Sequence, residues 1–356
     1  MRAPALAVSL SFAVALQAGA EEAASQDGPF LYVANQEAAA VSVIDISIHE
    51  VAEIIDLTAL GYGANAKPHD IAVEPDGSHW YVSLIGANTV LKFDRANELV
   101  ASVEFERPGL LAIHPNEDWL FVGRSMAAVN PPQRIGRLDR SSMEIEEFDV
   151  FIPRPHALEL SADGEWVYVG SLAENTVVAL HAESGEAELV RLDAPHPHVL
   201  VQFAVSPDGR TLVGTAEMTG KLLVFDLSNP DGPELTREVD VGSRPWHPSY
   251  SADGSSVWFG NLGGNEVVRV ETSDWEVHRR ADARLAQPHG SAISPDGKYL
   301  YLANRNESGH YPAGSNDASE TRMGSVSVVD LATGGIVKMI EVPFYAAGIG
   351  LASNPR

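Results

Sequence analysis

"RPHALELSADGEWVYVGSLAENTV", residues 154–177, holds two apolar runs in alternation with polar residues, joined at Asp163-Gly164. A D-G pair between such runs signals a hairpin, because the turn demands a positive φ that glycine accepts without strain. The same sentence recurs as "KPHDIAVEPDGSHWYVSLIGANTV" at 67–90 and "QPHGSAISPDGKYLYLAN" at 287–304. Asp208-Gly209 and Asp253-Gly254 mark two further copies, and Pro115-Asn116 marks a degenerate one. Neighbouring copies are about 40 to 47 residues apart, the period of propeller blades.

After each hairpin comes a third run that often ends on an acid: "VSVID" to Asp45, "VLKFD" to Asp94, "LLVFD" to Asp226, "VSVVD" to Asp330. A fourth, more polar run closes the unit, as in "GGIVKMIEV" at 334–342. Six anchors predict six complete repeats, and the chain ends make a seventh. "DGPFLYVAN" at 27–35 aligns with "DGKYLYLAN" at 296–304, and "FYAAGIGLASNP" at 344–355 supplies the strand that this copy lacks. The expected fold is all-β: a seven-bladed β-propeller of four-stranded antiparallel blades. Its ring is closed by the C-terminal strand joining the N-terminal blade, which removes the open edge.

The first twenty residues, "MRAPALAVSLSFAVALQAGA", carry Arg2, an apolar run and a small-residue ending at Ala18-Gly19-Ala20. That pattern is a secretory signal peptide over 1–20 with cleavage before Glu21. The expected location is periplasmic, with residues 21–356 forming a single propeller domain, since no linker or low-complexity block interrupts them. No other apolar run is long enough for a membrane span. The chain has no cysteine, which excludes disulfides, thiolate ligands and Cys nucleophiles. A net charge of −25 argues against a nucleic-acid partner, which would need clustered Lys and Arg.

"LYVANQEAAAVSVID" at 31–45 and "SPDGKYLYLAN" at 294–304 resemble the YVTN-type β-propeller repeats of secreted proteins. The resemblance covers essentially the whole chain after residue 20 and extends to YncE-like periplasmic proteins, haem d1-like propellers and lactonase-like propellers. It implies the fold firmly, whereas function has to come from a site.

Antiparallel blades put the start of each innermost strand and the loop between second and third strands on one face. Counting back from each turn places His69, Gly109, His156, Val201, Trp246 and His289 at equivalent positions, with Gly348 in the closing strand. His247 lies beside Trp246, and His196 and His198 stand just upstream of Val201. These side chains are expected to converge at one channel mouth. Proline before them fixes φ where no ladder donor is needed. Histidine there either fills a polar mouth, supplies acid–base chemistry, or forms an all-nitrogen cage for a transition metal.

The candidate metal ligands are His69, His156, His198, His247 and His289, with His196 in reserve. Asp70 is either an orienting or neutralising group or, since adjacent strand residues point to opposite faces, a blade-packing residue. Copper or zinc is the expected cofactor. The d1-like resemblance makes haem a second possibility, with a channel histidine as axial ligand. Two long loops share this face: "GRSMAAVNPPQRIGR" brings Arg124, Met126 and Arg134, and "NRNESGHYPAGSNDASETRMG" brings Arg305, His310, Tyr311, Arg322 and Met323. Arg124, Arg305, Arg322 and His310 are the expected ligand-binding residues, because arginines over a cavity in so acidic a chain suit an anion such as a carboxylate. "NES" at 306–308 also fits a glycosylation sequon.

The function these residues point to is binding of a small ligand or transition metal at a His-lined mouth, in metal delivery or as a redox accessory, with a periplasmic protein as further partner. The alternatives are a lactonase- or lyase-like enzyme using a channel histidine with an arginine clamp, and a non-catalytic protein-interaction platform. No catalytic residue is singled out.

Overall fold

The computed structural model describes residues 29–311 and 322–352. The expected signal peptide over 1–20 and the middle of the longest loop lie outside the described residues. Seven four-stranded antiparallel sheets form a closed ring, with one short 3-10 turn at Gln36–Ala38. Among the described residues no helix is long and apolar enough to cross a membrane.

The innermost strands of blades 2 to 7 are Pro68–Val73, Pro108–Ile113, Pro155–Leu160, Leu200–Val205, Ser249–Tyr250 and Pro288–Ile293. Blade 1 is assembled from both chain ends: Ala346–Leu351 lies innermost, beside Phe30–Asn35, Ala40–Asp45 and Glu50–Asp56. Innermost strands contact their neighbours all the way round, including Ala346–Leu351 against Pro68–Val73 and Pro288–Ile293. Small residues permit this closeness: a Cβ on Gly348 would stand 2.3 Å from the His69 carbonyl oxygen, and one on Gly290 2.4 Å from that of Ala347.

Each D-G turn works as its composition requires. Gly77, Gly164, Gly209, Gly254 and Gly297 all adopt positive φ, and the preceding aspartate accepts from a backbone N–H two residues on, as in Ser78 to Asp76. The strand-end acids cap their own turns in the same way, for example Ser47 N–H to Asp45 and Thr333 N–H to Asp330. Second and third strands carry continuous apolar runs because they are covered on both faces, whereas outer strands such as Glu50–Asp56 alternate with solvent. The core lies between sheets: Trp80 stacks on Phe93 within blade 2 and on Tyr32 of blade 1, at 4.1 and 4.7 Å. Full burial of such a side chain contributes roughly 2 to 3 kcal/mol.

Candidate functional site

A sevenfold backbone device delivers the chain to the channel mouth. The residue just before each innermost strand, or in blade 6 before the Pro245–Asn261 bridge that leads into it, is left-handed although none is glycine: Lys67, Arg107, Arg154, Val199, Arg244, Gln287 and Tyr345. Each of their carbonyls accepts a hydrogen bond from the residue just past the second strand of the same blade, such as Ser125 N–H to Arg107 and Arg305 N–H to Gln287. Proline then begins five of the seven innermost strands or their approach, at Pro68, Pro108, Pro155, Pro245 and Pro288. A register shift follows at once, between Pro68 and Ile71, Pro155 and Ala157, and Pro288 and Ser291. Such bulges re-aim side chains, and here they carry His69, His156 and His289. In blade 1 the pairing of Asn35 with Ala346 and Val33 with Ile349 makes Ala347, one residue before the expected Gly348, the equivalent of His69.

Four of the expected histidines come together. Ring centres are 4.7 Å apart for His247 and His289, 5.7 Å for His69 and His289, and 6.3 Å for His69 and His156. Two imidazoles sharing one ion through bonds of about 2 Å place their centres roughly 5 to 6 Å apart, so the spacing suits a common guest. All four are buried, and Nε2 of each has no hydrogen-bond partner. In two cases the other nitrogen settles the tautomer. His156 Nδ1 donates to the Arg124 carbonyl oxygen at 2.8 Å, and His69 Nδ1 donates to Gln36 Oε1 at 3.1 Å. Nε2 is then a lone pair in the neutral ring, the arrangement by which an oxygen behind a histidine orients it as a ligand.

Desolvation pushes every member down: His156 to about 4, His247 to about 3, and His69 and His289 well below the ordinary imidazole value. Arg305 adds to the push on all four. For His289 the Ala347 carbonyl opposes this, yet neither ring nitrogen meets a partner at hydrogen-bond geometry. The rings are therefore uncharged at neutral pH. Among the described residues no group of three or more His, Asp or Glu is arranged as it stands to hold a metal ion.

Arg305 is the cation of the mouth. Its guanidinium carbon lies 4.4 Å from the Trp246 ring centre and 5.0 Å from that of Tyr345. A little of the side chain reaches the surface, but protein surrounds most of it, and that desolvation lowers its pKa. Trp246 in turn packs 4.2 Å from His289. Met126, from the blade 3 loop, packs against the cluster of Val201, Trp246 and Leu262, and its carbonyl accepts from Arg154 at 2.7 Å.

The other expected residues are placed elsewhere. His198 is buried and its Nε2 is also unpartnered, but its Nδ1 meets Thr219 Oγ1 at 2.9 Å and, among the described residues, its ring stacks on none of the four. Its charged neighbours, Glu238 and Lys221, belong to the outer strands of blade 5. His196 and His310 are exposed. Arg124 is turned away: it donates to Glu106 O at 2.6 Å, Arg134 O at 3.1 Å and Glu147 Oε2 at 2.6 Å, over the Phe105 ring. Arg322 donates to Glu307 O at 2.6 Å on the surface, and Arg134 pairs with Asp149. Asp70 faces blade 3, where Oδ2 accepts from Leu111 N–H at 2.8 Å. Burial raises Asp70 and Glu159 to about 7. Asn306 of the sequon is buried, its amide nitrogen donating to Tyr311 O and Met323 O.

Gln36, Tyr345 and the cationic residues before the innermost strands are absent from the sequence-based set. Gln36 and Arg305 share one register position, the first residue beyond the second strand, and that position faces the mouth.

No family model matches the chain, and no curated protein matches it. Solved structures do. A functionally unknown protein from Desulfotomaculum acetoxidans superposes with a TM-score of 0.73 at 15% identity, over 92% of this chain and 99% of that one. A streptogramin B lyase superposes with a TM-score of 0.65 at 18% identity, over 78% and 87%. The dihydro-haem d1 dehydrogenase NirN superposes with a TM-score of 0.63 at 16% identity, over 92% and 76%. At these identities the likeness is one of fold.

Proposed function

We propose that the chain is a YVTN-type propeller, exported to the periplasm, that binds copper or zinc through His69, His156, His247 and His289, for metal delivery or as a redox accessory. The observation that carries this reading is the convergence of four neutral imidazoles from four blades, each with Nε2 unpartnered. Neutral imidazole suits these borderline ions, and a chain without cysteine has no softer ligand to offer. Buried polar atoms are normally hydrogen-bonded, so several orphan nitrogens around one space favour a guest.

Metal analysis of protein purified after growth with copper, zinc and iron tests it. Stoichiometric copper or zinc is expected. It is lost in His156→Ala and His289→Ala and kept in His198→Ala, all three folding normally by circular dichroism. Absence of stoichiometric metal, or equal loss in His198→Ala, overturns the reading.

A second reading is a lyase-like enzyme in which a channel imidazole moves a proton while Arg305 holds an anion. It is favoured by the charge of Arg305 acting on His289, neither of whose ring nitrogens meets a partner at hydrogen-bond geometry. Turnover of lactones or esters by metal-free protein, abolished by His289→Ala, would select it.

A further inference from the structure

Arg305 makes the mouth electrostatically incomplete. Among the described residues no side chain or carbonyl accepts from its guanidinium, and Nε is buried without a partner. Its contacts are the faces of Trp246 and Tyr345. Arginines so largely enclosed are ordinarily paired, and this chain has 49 acidic residues against 24 basic ones from which to pair it. Of the acids on the loops around the mouth, Glu37 binds Lys67 at 2.8 Å and Glu217 binds Arg244, with Nε at 2.7 Å, while Glu307 and Glu217 act on Arg305 through their charge without hydrogen-bonding to it.

Two more cations at the left-handed positions lack a carboxylate. Arg107 donates only to Ile85 O and Arg154 only to Met126 O. Cations thus recur at one register position around the opening, at Lys67, Arg107, Arg154 and Arg244, two of them free to attract an anion. Trp246 Nε1 is a further buried donor without an acceptor. A divalent cation alone would be repelled by Arg305. An anion between the two would satisfy both.

We infer that the site takes its metal together with an organic carboxylate, whose oxygens bridge Arg305 and the imidazole-held ion while its carbon frame rests on Trp246 and Tyr345. The planar guanidinium fork matches a carboxylate edge in two-pronged fashion, and the aromatic faces suit an organic acid over an inorganic oxyanion. This inference rests on the metal reading above. No bond is made or broken in it.

Zinc affinity of the full chain, measured by competition with a zinc indicator at constant ionic strength, provides the test. Acetate and sulfate are added in separate arms. Acetate is expected to tighten zinc binding by about tenfold in the wild type, and sulfate far less. Arg305→Gln should lose the acetate effect while binding zinc at least as tightly without acetate, because the repelling charge is gone. Arg305→Lys, which keeps the charge without the fork, should retain only part of it, and thermal melts verify that each variant is folded. Zinc binding unaffected by acetate, or an acetate effect that survives in Arg305→Gln, overturns the inference and leaves the metal reading intact. A sulfate effect equal to that of acetate overturns the choice of carboxylate. Failure of zinc to bind in any arm overturns the metal reading and the inference with it.

Discussion

His156 and Arg124 are joined through the backbone of one and the ring of the other: Nδ1–H of the imidazole donates to the Arg124 carbonyl oxygen at 2.8 Å. The arginine's own side chain is fastened outward to Glu106, Arg134 and Glu147. It therefore holds its carbonyl still, and the carbonyl holds the ring. Arg124 is a positioning residue for His156.

Arg124→Met removes that anchor and leaves Glu106 O and Arg134 O without their donor. Loss of a buried, multiply bonded cation costs about 2 to 4 kcal/mol, measurable in denaturant unfolding of the metal-free chain. Zinc affinity should fall as well, although no ligand has been touched. Unchanged stability would show the network to be idle.

Acid should destabilise the metal-free protein well above the range where ordinary carboxylates titrate. Four buried imidazoles have folded pKa values below their unfolded value near 6.5. Between those limits the unfolded chain binds up to four more protons than the folded one at these sites, so stability rises with pH. Asp70 and Glu159, raised to about 7, act in the opposite sense. Their contribution is full below about pH 4 and is lost as pH rises through 7. Four protons outweigh two, and the net slope is roughly 2 to 3 kcal/mol per pH unit between pH 6 and 5. Unfolding free energies at pH 7, 6 and 5 check the sign. Equal replacement of His69, His156, His247 and His289 by Gln should flatten or reverse the slope.

Gln36 stands behind His69 as the Arg124 carbonyl stands behind His156. Gln36→Leu removes the acceptor that fixes the ring and its tautomer. Losses of about 10- to 100-fold in metal affinity are usual for such partners. The same loss is expected here in zinc competition, with Gln36→Glu restoring it. An affinity within twofold of wild type would sink the assignment.

Val199 is a β-branched residue at φ 59°, a conformation that costs an L-residue about 1 to 2 kcal/mol. Val199→Gly relieves that strain and pays back only part of it in unfolded-chain entropy. A gain of about 0.5 to 1 kcal/mol is expected in chemical unfolding. Val201→Gly, two residues on and fully buried against Trp246, should lose stability instead.

The propeller was legible because its signals are local and repeated: each D-G turn states its own φ, and each pair of runs its own period. The histidines were legible for the same reason, since Pro-His recurs at one register position. His198 departs because it lies upstream of the strand that Val201 begins to line, so counting histidines in a narrow band overreaches register. Arg124 departs for a reason that register does contain. It ends a second strand, as do Asn35, Ser171 and Asn261, and that position bonds the carbonyls of the incoming link: Asn35 to Pro343, Ser171 to Pro153, Asn261 to Val241. Arg124 does this to Glu106 with a longer side chain. Arg305 comes one residue later, and one step reverses the face. The hydrogen bond from His69 to Gln36 joins residues 33 apart, and nothing short of the assembled ring brings them together.

His69 and His289 flank blade 1, the sheet made from the two ends of the chain. A guest gripping both rings would therefore be a rivet across the seam of the molecule, tying the blades on either side of the last strand to be laid. Loading would slow the peeling of residues 346–351 more than any other opening. Occupancy and kinetic durability would then be the same measurement.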